Sequence, residues 1–175
     1  PNETLVANYD NLSSLMRLVA RHPVETTTLD AVLGESDVDM IKIDVQGGEL
    51  DVFKGGPHAL ANAVVIHTEV EFVELYKHQP LFGDVDRFLN DAGFQFLTFR
   101  GLAGRAPIAP SGTPAPKRLR ATQALWADAV YVPHIESFRD LSDQKLIKLA
   151  CIAHVLYGAN DIAWRALAEA DGRDG

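Results

Sequence analysis

Three groups of side chains in this sequence could do chemistry. The first is the octet Lys42-Ile43-Asp44-Val45-Gln46-Gly47-Gly48-Glu49, in which two carboxylates flank a Gln-Gly-Gly turn. The second is His67-Thr68-Glu69-Val70-Glu71, where acids two positions apart point to one face of an extended strand. The third is Tyr76-Lys77-His78-Gln79, a polar tract closed by Pro80. A cluster of carboxylates can take a proton from a hydroxyl, hold a divalent metal, or hydrogen-bond a sugar. Asp44, Glu69, Glu71 and His67 are therefore the candidate catalytic groups. Each also has a plainer reading. Asp44 could cap the helix that follows, Glu49 could be a first-turn helix acid, Glu71 a solvated strand-end charge, and His67 a hydrogen-bonded core histidine. No His/Cys ligand spacing and no calcium loop is present, so no metal is expected.

The apolar run ending at Val45 reads as a strand, over residues 40–45, that delivers Asp44 to the turn. A helix from Glu49 breaks at Gly55-Gly56-Pro57, a second short helix covers 58–62, and residues 63–72 read as another buried strand. A helical crossover makes these two strands parallel neighbours, so that Asp44 and Glu69 end side by side. In open α/β sheets, ligands sit beyond the carboxyl ends of the strands, which is where these acids are expected.

Elsewhere, residues 3–8 and 21–27 read as extended. Thr28 can cap a brief helix ended by Gly34. An amphipathic helix spans 84–92, a strand 94–99, a Gly/Pro/Ala-rich loop 101–116, and a last strand 125–132. From Ser137 the pattern is helical. Ser142 caps a helix with Leu146, Leu149, Ala150, Ala153 and Tyr157 on one stripe and a stop at Gly158; Asn160 caps a final helix, and residues 171–175 fray. The single Cys151 falls on the apolar pattern and is expected in the core.

The octet, with Glu3-Thr4-Leu5-Val6, Asn11-Leu12-Ser13-Ser14-Leu15, Thr28-Leu29-Asp30 and the run from His67 through Leu75-Tyr76 and Gln79-Pro80-Leu81-Phe82 to Gly93-Phe94, resembles the FkbM-type methyltransferases over residues 3 to about 132. The resemblance implies a class I, Rossmann-like α/β sheet and S-adenosylmethionine (SAM) as cofactor. It implies methyl transfer to a hydroxyl of a sugar, glycan or polyketide-like acceptor. It places Ser13, Ser14, Asp30, Asp44, Gln46 and Gly47 on the cofactor side, and Glu49, Tyr76, His78, Gln79, Arg100 and Arg105 on the acceptor side. The family's glycine-rich strand-turn-helix and its ribose-binding acid are absent from these residues. The expectation is thus a partial methyltransferase domain over 1–132 with a helical appendage over 133–175. It would bind SAM poorly alone, and the edge of strand 40–45 would be left for a missing N-terminal segment or a second copy. A non-catalytic glycan-binding or subunit-interface module and a carboxylate-based metal hydrolase are the alternatives.

Size and charge narrow the classes further. A chain of 175 residues with 47% hydrophobic and 23% charged residues is ordinary for a globular domain with a sizeable core. A net charge of −8 disfavours general binding to nucleic acid. No apolar run approaches a membrane span, and one cysteine excludes an internal disulfide. A reducing, cytoplasmic setting is the compatible expectation. The charge is uneven. No acid lies between Asp91 and Asp128, while Arg100, Arg105, Lys117, Arg118 and Arg120 do, leaving eleven basic against twenty-four acidic residues elsewhere. A basic loop at the strand ends would attract an anionic acceptor.

Overall fold

The computed structural model describes residues 1–109, 113 and 120–172. Most of the anticipated Gly/Pro-rich loop, with Lys117 and Arg118, and the last three residues lie outside them.

Four strands, β1 (Met40–Ile43), β2 (Val65–Glu71), β3 (Phe94–Ala103) and β4 (Trp126–Pro133), form one mixed sheet in the order β1-β2-β4-β3. β1 and β2 are parallel, with Met40 beside Val65 and Ile43 beside Thr68. The crossover between them is α4 (Glu49–Lys54) and α5 (Pro57–Asn62), broken at Gly55-Gly56 as the sequence indicates. β4 runs antiparallel to both its neighbours, β2 and β3. This mixed α/β architecture is compatible with a Rossmann-like methyltransferase fold. Among the described residues β1 pairs with β2 alone and is an edge strand.

Alternation along the strands divides the core. Ile41, Ile43, Ile66, Val70 and Tyr131 face α4, α5 and α6 (Phe82–Asp91), where Phe53, Leu60, Val85 and Leu89 are buried. Val65, Val130 and Val132 face the other way, onto a C-terminal helical hairpin of α7 (Asp143–Ile152) and α8 (Asn160–Asp171). Each fully buried large side chain contributes roughly 1.5–3 kcal/mol. The hairpin is also fixed by charge. Asp39, just before β1, meets Lys145 Nζ at 2.9 Å and Lys148 Nζ at 2.8 Å, and these ammonium groups hold its carboxyl below the usual range. Ser142 caps α7 by accepting from Lys145 N. A π turn, Ala153–Tyr157, joins α7 to the left-handed Gly158, and it carries Tyr157 back to the sheet.

Several elements differ from expectation. Residues 3–6 form a helical turn, α1 (Glu3–Val6), because the Asn2 side chain caps it and Val6 tucks against Tyr9, Leu12 and Leu75. A second turn, α2 (Leu12–Leu15), follows. Residues 21–27 are exposed and unpaired; β-branched residues make a strand only where a neighbour completes the ladder. α3 (Leu29–Leu33) has the anticipated Thr28 cap, whose Oγ1 accepts from Ala31 N. β1 ends two residues early because Gln46 turns the chain at φ 57°. Asn160 is the first residue of α8 rather than its cap, and its Oδ1 lies 2.7 Å from His154 Nδ1. Cys151 is exposed, one helical step beyond the buried Leu149 and Ala150.

Candidate active site

The turn after β1 is built by Glu49. Its carboxylate is 3% exposed and accepts from Val45 N at 2.9 Å and from Gly47 N at 2.9 Å. Both oxygens therefore hold the turn, and Glu49 does not reach an acceptor as expected. Gly47 takes φ 103°, and a side chain there would press on Gln79 Cβ at 3.3 Å and on the Tyr76 ring. The glycine lets the third tract pack onto the turn.

That packing assembles the polar end of the sheet. Gln46 Nε2 donates to Asp44 Oδ1 at 2.7 Å and to Glu69 Oε2 at 2.6 Å, while Gln46 Oε1 accepts from Tyr76 OH at 3.2 Å. One amide thus joins residues from all three candidate groups. Asp44 is exposed, so it completes the cluster from the solvent side. Gln79 is buried, and its Oε1 accepts from Tyr76 N.

A cavity of about 340 Å³ opens beside this cluster. Gln46, Glu69, Glu71, Tyr76 and Arg105 supply its polar wall, and Leu12, Leu15, Met16, Leu75 and Trp126 its apolar wall. Burial raises the carboxyl of Glu71 to about 8, with the charges of Glu49 and Glu69 adding to the effect and the nearby Gln79 side chain partly offsetting it. Burial likewise raises Glu69 to about 7, helped by Asp44 and Glu49. Two carboxyl groups that change charge near neutral pH, in a cavity wall, can accept or release a proton there. A larger groove of about 560 Å³ lies on the outer face of α7 and α8, beside Ile147, Trp164 and Leu167. It holds no such pair.

The remaining candidates lie elsewhere. Asp30 caps α5, accepting from His58 N at 2.9 Å and Ala59 N at 3.0 Å. Ser14 Oγ donates to Asn11 O, and Ser13 lines a separate cleft with Glu3 and Arg17. His67 is a structural link: its Nδ1 lies 3.0 Å from Tyr157 OH and its Nε2 3.5 Å from Asp128 Oδ2. His78 and Arg100 are exposed and do not line the cavity, Arg100 sitting opposite Asp128 in the ladder. Trp126 was not anticipated. Its position follows from β4 being antiparallel, which brings the start of that strand to the carboxyl end of β2, beside Glu71.

The model of the methyltransferase FkbM domain matches residues 3–96. The chain belongs to the FkbM methyltransferase family. No curated protein and no solved structure matches it. The match ends short of β4, so Trp126 and Arg105 lie beyond the portion the family model covers.

Membership in the FkbM family implies SAM, and the described residues fit it only in part. Ser14 and Asp30 are engaged with local backbone, and Gly47 is filled by packing rather than open as a cradle. Only Asp44 and Gln46 remain from the expected cofactor side at the strand end. These residues do not enclose a SAM molecule. A metal fits no better. Asp44, Glu49 and Glu69 bring one oxygen each within 4.8 Å of one another, but Glu49 is occupied by two backbone N–H groups, and Asp44 and Glu69 share the Gln46 amide. Among the described residues no helix is long and apolar enough to cross a membrane.

Proposed function

We propose that this FkbM methyltransferase chain provides the acceptor pocket and the proton-accepting groups of a SAM-dependent O-methyltransferase. The acceptor is a hydroxyl of a sugar, glycan or polyketide-like molecule. The observation that carries this reading is the pair Glu69 and Glu71 in one cavity wall, raised to about 7 and about 8. An oxygen that gains a methyl group must lose its proton, and a carboxylate of that basicity is suited to receive it. Trp126 and Tyr76 offer ring faces and the Gln46 amide a hydrogen-bonding edge, a combination that suits a polyhydroxylated ring. Positioning of the hydroxyl then falls to these walls. SAM is the methyl donor that the family implies. In this reading residues 1–132 are the C-terminal part of the methyltransferase domain, and its cofactor side is completed by residues outside this chain.

The test is methyl transfer at saturating SAM by the protein expressed from its full reading frame, with wild-type, Asp44→Asn, Glu69→Gln and Glu71→Gln forms and their melting temperatures. Loss of turnover with an unchanged fold in a Glu69 or Glu71 variant supports the proposal. Near-normal turnover in all three sinks it. Thermal-shift titration separates the alternatives: stabilisation by saccharide but not by SAM or its demethylated product would indicate a binding module, and stabilisation by a divalent metal a hydrolase.

A further inference from the structure

Arg105 differs from the other basic residues of its loop. It lines the cavity, with its guanidinium carbon 5.2 Å from the centre of the Trp126 ring, close enough for cation–π stacking. Its one hydrogen bond is from Nη1 to Gly104 O at 2.9 Å. Among the described residues no carboxylate lies within 4.0 Å of it, although Glu69 and Glu71 share the same cavity.

The backbone that carries Arg105 is fixed on both sides. At Gly104 an added Cβ would lie 2.1 Å from Gln123 O, so the chain there packs against the return segment with no space for a side chain. Two residues after Arg105, Pro107 bridges to Tyr9, while Asp10 N donates to Ala106 O at 2.9 Å and Ile108 N to Asn8 O at 2.8 Å. A guanidinium has five N–H donors in a planar fork. Here the fork rests on an indole face, on an anchored backbone, with most of its donors unused. Such an arrangement is pre-organised for two parallel hydrogen bonds to a carboxylate or a phosphate.

We infer that the acceptor carries an oxyanion, a carboxylate or a phosphate, near the hydroxyl to be methylated, and that Arg105 binds it with Trp126 supporting the guanidinium. The inference rests on the acceptor reading above and narrows it to acidic hydroxylated molecules. Glu69 and Glu71 do not forbid an anion beside them. Below their raised values both are largely uncharged and present O–H donors.

Trp126 itself reports on the site. The chain has two tryptophans, and Trp164 is 71% exposed on the outer groove of the hairpin. In a Trp164→Phe background, Trp126 fluorescence is titrated at pH 6 with glucuronate, glucose 6-phosphate and glucose. At least one anion should give a saturable change at a concentration tenfold or more below that needed for glucose, as expected on the order of a charge-assisted contact. The better of the two anions names the group. Arg105→Gln should abolish the preference. Arg105→Lys should keep part of it, since a point charge remains without the fork. Equal responses to all three sugars, no response to either anion, or a preference that survives Arg105→Gln in a variant with unchanged melting would overturn the inference. Methyl transfer confined to uncharged acceptors would also overturn it and leave the proposed function standing. An Arg105-dependent anion preference in a protein that transfers no methyl group would do the reverse.

Discussion

Asp30, between α3 and α5, and Glu71, at the end of β2, are both acids placed next to a change of chain direction. Their surroundings differ. Asp30 meets two backbone N–H groups at a helix start, and Glu49 in the turn after β1 does the same. Glu71 and Glu69 are drawn into a cavity wall with fewer donors and with other acids nearby, and their carboxyls rise accordingly. The lesson is that the supply of donors, rather than the residue type or its closeness to the sheet edge, separates an acid that holds the chain from one that can move a proton.

The largest expected effect probes the mobile-proton side of that contrast. Glu69→Gln or Glu71→Gln, whichever removes the base, should lower turnover by roughly 10² to 10⁴ at saturating SAM. Steady-state methyl transfer is the readout, and a small effect from both would erase the contrast. Glu49→Gln tests the other side. It replaces an oxygen facing a backbone N–H by an NH₂ group, so unfolding in urea should show a loss of about 1–3 kcal/mol with turnover of the remaining folded enzyme unchanged. The smallest change in free energy belongs to Asp30→Ala, about 0.5–2 kcal/mol of stability from the lost cap, again without a change in turnover.

A pH series sharpens the comparison by direction alone. Glu69 and Glu71 have folded values above their usual value of 4.5. Their contribution to stability is therefore fully present below about pH 4.5 and is lost as pH rises through about 7 and about 8. The melting temperature should fall across that window, and the Glu69→Gln, Glu71→Gln double variant should flatten the fall. Turnover that needs a deprotonated base should rise through the same window. Parallel rather than opposed trends would show that these carboxyls do not both destabilise the fold and serve the reaction.

The sequence pattern made the sheet largely legible, because β1, α4, α5 and β2 follow one another with clear periodicity and Gly-Gly-Pro punctuation. It also brought Asp44, Glu69 and Tyr76 to one edge, since parallel neighbours end together. The contrast between Glu49 and Glu71 was not legible. Both are acids near strand ends, and only the backbone path shows that Glu49 folds back onto Val45 N and Gly47 N. Residues 3–8 misled for a similar reason. Their apolar content fits a strand, but a single Asn2 side chain bond and a place for Val6 under Leu75 decide for a helical turn. Trp126 was readable in principle, from the antiparallel direction of β4, but only once that direction was fixed.

The π turn at Ala153–Tyr157 has a consequence for insertions and deletions. A π turn holds one more residue than the α-helical turn it replaces. Removing one residue there, at the exposed Val155, would restore the ordinary winding and rotate everything beyond it by about 100°. Tyr157 would leave His67, and α8 would turn Ile162 and Ala163 away from the sheet and bring a different stripe towards it. For this hairpin chain length acts as an angular setting, so losing one residue there should do more damage than many substitutions on the same surface.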